Sequence, residues 1–269
     1  MHSGHVLARS VSRVWGDLRE GARAHRALSR GLTMIGLGMV ISACAAQSDE
    51  PEAQGETESE IAATEAAPPP SAGATTAPTA AEVKAKLGSC HKISHAPYAK
   101  DQGGTSNIDI CDLSNAVFFT ADMDIDCDGK STSVCNHSTD ASYQSSTAGV
   151  DSHGKPLDAS TLPYIVVPGA SSRWSYRNSN IKMGSVAAVI YNGKIEYGVV
   201  GDVGPQAIVG EASYAMAKRL GINPNPSSGG VGSGVTYIVF KGAGPSKLED
   251  QETTQKLGIE RAKKLIADN

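Results

Sequence analysis

Two apolar runs in the second half of the chain flank an Asn-Gly pair. Residues 186–190 read Val-Ala-Ala-Val-Ile, residues 195–200 read Ile-Glu-Tyr-Gly-Val-Val, and Asn192-Gly193 lies between them. Asn-Gly readily adopts the positive φ angles of a tight two-residue turn. The pattern predicts a β-hairpin whose second strand ends at Gly201–Pro205, which leaves Asp202 at the strand's exit.

A helix is predicted directly after this hairpin. The run from Ala212 to Leu220 consists mostly of good helix formers, and Gly221 provides a stop signal. Glu211 precedes the run and is expected to open the helix. A strand end and a helix start would then hold Asp202 and Glu211 together, as acid and base catalysis at a glycosidic bond requires. The structural alternatives are a turn-forming Asp and a Glu that complements the helix dipole.

Further strands and helices are predicted on both sides of this unit. Leu162–Pro168 and Gly234–Phe240 are rich in β-branched and aromatic residues, which favour strands. Thr79–Glu82 matches a capping box before a short helix, and Ser246–Glu249 matches a second one before an amphipathic C-terminal helix. The pattern predicts an α+β fold with a β-rich, barrel-like sheet and a few flanking helices.

Residues 1–79 have the composition of a targeting segment and a linker. After six arginines, the apolar run Leu32–Ile41 is too short to span a bilayer, and small residues precede Cys44. Residues 1–44 therefore predict a signal peptide whose end resembles a bacterial lipobox, with Cys44 as the lipidated residue. An ordinary cleaved signal with an incidental cysteine is the alternative. Residues 45–79 are rich in Ala, Thr, Glu and Pro and predict a disordered linker, which leaves one domain over residues 80–269.

The charge and the cysteines restrict the class of protein. The chain carries 24 Lys+Arg against 28 Asp+Glu, for a formal net charge of -4. Without a clustered basic surface, nucleic acid is not expected as a partner. Four cysteines lie in the expected domain, and in an exported protein they favour two disulfides with three pairings open: Cys90, Cys111, Cys127 and Cys135. Zinc, with nearby histidines as ligands, is the competing interpretation, but the spacings match no common zinc module.

Alternating aspartates form the second candidate feature: Asp122, Asp124, Asp126 and Asp128, followed by Gly129. The last three fit the first half of a calcium loop, but Cys135 stands where the bidentate glutamate should lie. A turn beside a disulfide is a second interpretation. We favour substrate binding, because alternate strand positions place several carboxylates on one face, where they can pair with ammonium groups.

Several segments, in order along the chain, resemble the fungal-type chitosanases of glycoside hydrolase family 75. They are 115–119, 121–129, Gly184–Gly198, Gly201–Pro205, Gly210–Ser213 and Gly221–Pro226. The resemblance spans roughly Ser89 to Phe240. It implies endo-hydrolysis of β-1,4-linked glucosamine polymers with inversion, by an Asp and a Glu that align with Asp202 and Glu211. Glu196 is the competing carboxylate, and which member of the pair is the acid stays open.

The resemblance also implies partners and a location. Chitosan or partially deacetylated chitin is the expected substrate, with Trp174 and Tyr176 as candidate stacking residues in a sugar cleft. No cofactor and no metal are expected. The enzyme would be a monomer at the cell surface or outside the cell, with a lipid anchor as its only membrane contact. The alternatives are a non-catalytic polysaccharide-binding or calcium-stabilised module, and a hydrolase of another cell-wall glycan such as peptidoglycan.

Overall fold

The computed structural model describes residues 76–269. The expected signal peptide, Cys44 and nearly all of the expected linker lie outside the described residues. In chain order the elements are α1 (Ala80–Ala85), β1 (His91–Lys92), β2 (Cys111–Asp112), β3 (Ala116–Asp126), β4 (Tyr164–Pro168), a 3-10 helix (Tyr176–Ser179), β5 (Val186–Tyr191), β6 (Lys194–Gly204), β7 (Glu211–Ser213), α2 (Tyr214–Leu220), β8 (Val231–Phe240) and α3 (Gln251–Asp268).

Six strands close into a barrel. Their order is β3-β7-β4-β6-β5-β8, and β8 pairs back onto β3, while β2 and β1 extend the sheet beside the start of β3. Alternation along β3 sends Val117 and Phe119 into the barrel core and Phe118 outward, into a second apolar cluster that includes Leu265 of α3. The α+β class with a barrel-like sheet and flanking helices is thus confirmed.

The predicted hairpin is formed by β5 and β6. Asn192 and Gly193 both have positive φ angles, of 45° and 76°, as the turn requires. The strand ends within Gly201–Pro205 as predicted, but β6 continues as far as Gly204, in parallel pairing with β4. Asp202 therefore lies within a strand rather than at its end.

The helix predicted to open at Glu211 begins three residues later. Glu211–Ser213 forms β7, which pairs in parallel with β3, so tertiary pairing overrides the local helix propensity. The hydroxyl of Ser213 caps α2 by accepting a hydrogen bond from the Met216 N–H. The helix ends as predicted, with Gly221 in the left-handed conformation.

Of the two capping boxes predicted for the outer helices, one is present. The capping box at Thr79 and Glu82 is present and starts α1. The second predicted capping box, at Ser246–Glu249, is wrong, because α3 begins at Gln251 and its cap is Asp250, which accepts from the Thr253 N–H. None of the helices within residues 76–269 combines the length and the hydropathy needed to cross a bilayer.

Two disulfides connect the four cysteines of the domain. Cys90 pairs with Cys111 and Cys127 with Cys135, which selects one of the three possible pairings. The first ties the chain before β1 to β2, and the second closes a loop at the end of β3. Because all four sulfurs are used in this way, they cannot serve as zinc ligands.

Candidate active site

An acidic cleft of about 560 Å³ lies on the outer face of the barrel. Strands β3, β7, β4 and β6 form its floor, and the loops 140–142 and 226–229 line its sides. Six carboxylates line it: Asp124, Asp126, Asp128, Asp140, Asp202 and Glu211. The structure thus brings the predicted catalytic pair and three of the four alternating aspartates together in one place.

Strand register places the two candidate catalytic residues at one level of the barrel wall. Asp124 of β3 is the register partner of Glu211 in β7, and Val166 of β4 is the partner of Asp202 in β6. Ile165 pairs with Ala212 in the antiparallel β4–β7 pair, so Val166 lies opposite Glu211. The row across the sheet therefore runs Asp124, Glu211, Val166, Asp202. Since neighbouring strands lie 4.7–4.9 Å apart, the Cα atoms of Asp202 and Glu211 are about 9.5 Å apart.

Gly204 makes room for the carboxylate of Glu211. A Cβ atom at position 204 would lie 2.7 Å from Glu211 Oε2 and 3.0 Å from Val166 Cγ1. The Glu211 side chain therefore extends across β4 and ends beside β6, two residues along that strand from Asp202. Any larger residue at 204 would push this carboxylate away.

Burial and neighbouring negative charges favour the protonated form of Glu211. Its pKa is raised to about 7, first by burial and then by the carboxylates of Asp124, Asp128 and Asp202. A carboxyl group with such a pKa carries a proton near neutral pH and can donate it. Stabilisation of the Glu211 anion by a helix N-terminus, considered from the sequence, does not apply because Glu211 lies in a strand.

Asp202 is held rigidly and its charge is supported by backbone donors. Its side chain is buried, and Oδ1 accepts hydrogen bonds from the N–H groups of Ala148 at 2.8 Å and Val203 at 2.7 Å. Burial raises the pKa of Asp202, and these two bonds oppose the rise. Two carboxylates in different environments are thus placed around one cleft, which is the arrangement that separates an acid from a base.

Asp126 and Asp128 shape the end of β3. Asp126 Oδ1 accepts from the Asp128 N–H at 2.7 Å, and Asp128 Oδ1 accepts from the Gln144 N–H at 2.6 Å. Burial raises the pKa of Asp126 well above its usual value and that of Asp128 to about 6. Asp124 and Asp126 lie in an extended strand, and the Asp126 and Asp128 carboxylates accept hydrogen bonds from backbone N–H groups, so the half calcium loop suggested by the sequence is not formed.

Four other predicted or competing residues lie away from the cleft. Asp122 is only 3% exposed and does not line it. Trp174 is buried beside a separate cavity of about 440 Å³, and Tyr176 packs in the barrel core. Glu196 forms an ion pair with Arg219 at 3.1 Å and is absent from the cleft lining.

The sequence did not single out the far wall of the cleft. Asp140 and the loop 226–229 line this wall, and the Ser227 hydroxyl donates to the Thr139 carbonyl at 2.6 Å, which joins the two segments. The Asn225 side chain accepts from the N–H groups of Ser227 and Ser228, which fixes the loop's shape. The resemblance at Gly221–Pro226 ended just before this loop, and an isolated Asp140 gives no pattern of its own.

The sequence is similar to the proteins of one family. Residues 123–266 match the family described as fungal chitosanase of glycosyl hydrolase group 75. An endo-chitosanase of Aspergillus oryzae (strain ATCC 42149 / RIB 40) is 32% identical over 208 residues, which cover 69% of this chain and 85% of the relative. Endo-chitosanase C of Aspergillus oryzae is 34% identical over 173 residues, covering 60% of this chain and 43% of that longer protein. An endo-chitosanase of Aspergillus fumigatus is 32% identical over 143 residues, covering 48% of this chain and 60% of the relative.

Proposed function

Because the chain belongs to the fungal chitosanase family, glycosyl hydrolase group 75, we propose that its acidic cleft cleaves internal β-1,4 linkages of chitosan by an inverting two-carboxylate mechanism. Family membership makes the chain a glycoside hydrolase. The observation that carries the mechanism is the row Asp124, Glu211, Val166, Asp202, in which one strand separates the two proposed catalytic residues. Both carboxylates face the same cleft.

The spacing of Asp202 and Glu211 fits inversion. Inverting glycosidases hold their two carboxyl groups roughly 6.5–9.5 Å apart to admit a water molecule, whereas retaining enzymes hold them about 5 Å apart. The Cα atoms lie about two strand spacings apart, or 9.5 Å. The Glu211 carboxylate leans toward Gly204, which lies two residues, about 6.6 Å, along β6 from Asp202, and a carboxyl separation of that size would fall in the inverting range.

We assign Glu211 as the general acid and Asp202 as the general base. Protonated Glu211 donates its proton to the glycosidic oxygen as the bond from C1 to that oxygen breaks. Asp202 takes a proton from a water molecule whose oxygen attacks C1 from the opposite face. The products are a free 4-hydroxyl group and a new reducing end of inverted configuration. Asp202 then loses a proton to solvent and Glu211 takes one up, which returns both carboxyl groups to their starting states.

The remaining acids of the cleft suit a polycationic substrate. Asp124, Asp128 and Asp140 line the cleft and can pair with the ammonium groups of glucosamine units. Asp126 also lines the cleft and remains a candidate for substrate binding, but its burial favours the uncharged form of its carboxyl group. Asp122, Trp174 and Tyr176 are left out of the proposed cleft because of their positions.

The domain fits an oxidising location. Two disulfides are typical of exported proteins, because the cytosol keeps thiols reduced. We propose export by the signal peptide of residues 1–44, lipidation at Cys44, a linker over residues 45–79 and a monomeric catalytic domain over residues 80–269. Replacement of Cys44 by Ser should release the enzyme from the membrane fraction if it is anchored there.

A substrate panel with three variants tests the proposed function. Reducing ends are measured on chitosan, chitin, carboxymethyl cellulose and peptidoglycan for the wild type, Asp202→Asn, Glu211→Gln and the control Glu196→Gln. We expect cleavage of chitosan by the wild type and the control, and a loss of at least about 10³-fold in kcat for the other two. Full activity in Asp202→Asn or Glu211→Gln would refute the assigned pair. Preferential cleavage of another polymer would refute the substrate.

A further inference from the structure

Three carboxylates outside the catalytic pair meet beside the start of the cleft. Asp101, Asp122 and Asp124 each offer one oxygen atom, and these atoms lie within 4.8 Å of one another. Asp122 and Asp124 are two residues apart in β3, while Asp101 belongs to the connection between β1 and β2. Calcium binds oxygen at 2.3–2.6 Å, and three oxygens spaced evenly around such an ion lie roughly 4.0–4.5 Å apart, so a separation of at most 4.8 Å is close to what one ion requires.

Asp122 supplies an observation that is independent of the clustering. Its side chain is only 3% exposed, and its Oδ1 atom is shielded from solvent with no hydrogen-bond partner in the described part of the chain. Buried polar atoms are nearly always partnered, and an unpaired buried carboxylate is costly. Gly210 leaves the space this oxygen occupies, since a Cβ atom at that position would overlap it. Within residues 76–269 the fold thus accommodates a buried carboxylate whose Oδ1 atom has no hydrogen-bond partner.

Lys100 carries the nearby positive charge, which only partly balances the three carboxylates. Within residues 76–269, Lys100 forms no ion pair with any of the three carboxylates within 4.0 Å, and its ammonium group donates instead to the carbonyl of Gly232 at 3.2 Å. A missing positive charge would account for both the crowding and the unpartnered oxygen.

We propose that Asp101, Asp122 and Asp124 form a binding site for a divalent cation of the calcium class. Calcium takes six to eight oxygen ligands in flexible geometry, and three carboxylates supply up to six. A cavity of about 380 Å³ adjoins Asp101 and Asp122, and the side chains of Thr105 and Asn107 line it. Backbone oxygens and water can complete the coordination from that side. The bound ion would link the 100–105 segment to β3 through the carboxylates of both.

This site adjoins the proposed catalytic cleft and shares one residue, Asp124, with it. Asp101 and Asp122 do not line the cleft, and of the three carboxylates only Asp124 does. It also differs from the half calcium loop suggested by the sequence, since Asp126 and Asp128 bind backbone N–H groups instead. The ligands come from two separate segments of the chain, which a linear calcium-loop pattern does not detect.

Thermal unfolding of the purified full chain tests the proposal. The protein is treated with EDTA, dialysed, and then heated with and without CaCl₂, with NaCl of equal ionic strength as the salt control. At a calcium concentration of about 100 Kd we expect Tm to rise by roughly 5–10 °C, and NaCl to give no such shift. Isothermal titration should show one site per chain.

Two variants test whether the proposed ligands cause the calcium-dependent rise in Tm. Asp101→Asn changes an exposed residue and should fold normally while losing most of the calcium-dependent shift. Asp122→Asn should lose it as well. The control Glu252→Gln removes a carboxylate that is 80% exposed on α3 and should keep the full shift. Absence of any calcium-dependent shift or titration heat in the wild type would overturn the proposal, as would a shift that persists in both Asp101→Asn and Asp122→Asn.

Discussion

Asp202 and Glu211 occupy the same level of the barrel wall, with Val166 of the intervening strand between them. Their separation is therefore set by strand spacing, which is one of the least variable distances in a protein. Loops contribute the remaining cleft residues and one donor to Asp202, the Ala148 N–H, but the backbones of both proposed catalytic residues lie in strands. This rigidity suits a mechanism in which a water molecule must fit between substrate and base.

The two proposed catalytic roles predict different responses to the leaving group. With Glu211→Gln, kcat on chitosan should fall by at least about 10³-fold, but an aryl glycoside of a glucosamine oligomer should lose much less, because its leaving group needs no proton. Asp202→Asn should lose activity on both substrates. Initial rates on the two substrates measure this difference. Equal losses of Glu211→Gln on both would contradict its role as the acid.

Replacement of Gly204 by Ala should impair catalysis more than folding. The added methyl group would approach Glu211 Oε2 to 2.7 Å and displace the carboxylate, so we expect kcat to fall roughly 10- to 100-fold with little change in KM. The matched control is Gly232→Ala, where a Cβ atom meets no heavy atom within 4 Å. Steady-state kinetics and circular dichroism of both variants give the comparison. Unchanged kcat in Gly204→Ala would show that the position of Glu211 is not constrained by this residue.

The raised pKa of Glu211 predicts that stability falls as pH rises. Its pKa is about 7 in the folded protein against 4.5 for the free side chain, so between these values the folded state binds more protons than the unfolded state. The free energy of unfolding should therefore decrease from pH 4.5 to pH 7, by about 1–3 kcal/mol from this group. Glu211→Gln should remove that part of the decrease. Urea unfolding of both proteins across this pH range measures it, and equal slopes would contradict the prediction.

Salt should weaken substrate binding if ion pairs hold the polymer. Asp128 lines the cleft and, in its charged form, can pair with substrate ammonium groups, which dissolved ions screen. KM for chitosan should rise several-fold between about 0.05 M and 0.5 M NaCl, and Asp128→Asn should raise KM at low salt and reduce this dependence. Asp151→Asn is the control, since Asp151 lies outside the cleft. A KM insensitive to both salt and Asp128→Asn would exclude this mode of binding.

The sequence predicted local features that depend on few residues. The Asn192-Gly193 turn, the Thr79 capping box and the Gly221 stop all rest on short-range chemistry, and all three are present. The barrel-like sheet also followed from the strand pattern. By contrast, β7 was predicted as helix, because the pairing of Glu211–Ser213 with β3 joins segments far apart in the chain.

The candidate site was predicted by residue type but not by geometry. Asp202, Glu211 and three of the alternating aspartates converge on one cleft, whereas Trp174 and Tyr176 are buried elsewhere. Aromatic residues serve packing and sugar stacking equally well, so their type alone cannot distinguish the two. The alignment of Asp202 and Glu211 across the sheet depends on the register of three strands, which no short motif encodes.

The anomeric configuration of the first product tests the central claim most directly. Proton NMR spectra are recorded during the earliest minutes of chitosan-oligomer hydrolysis by the wild-type enzyme, before mutarotation mixes the anomers. An inverting pair acting on a β-linkage predicts that the α-anomer of the new reducing end forms first. Initial formation of the β-anomer would mean retention, and would contradict the assignment of Asp202 as a base that activates water across one strand from Glu211.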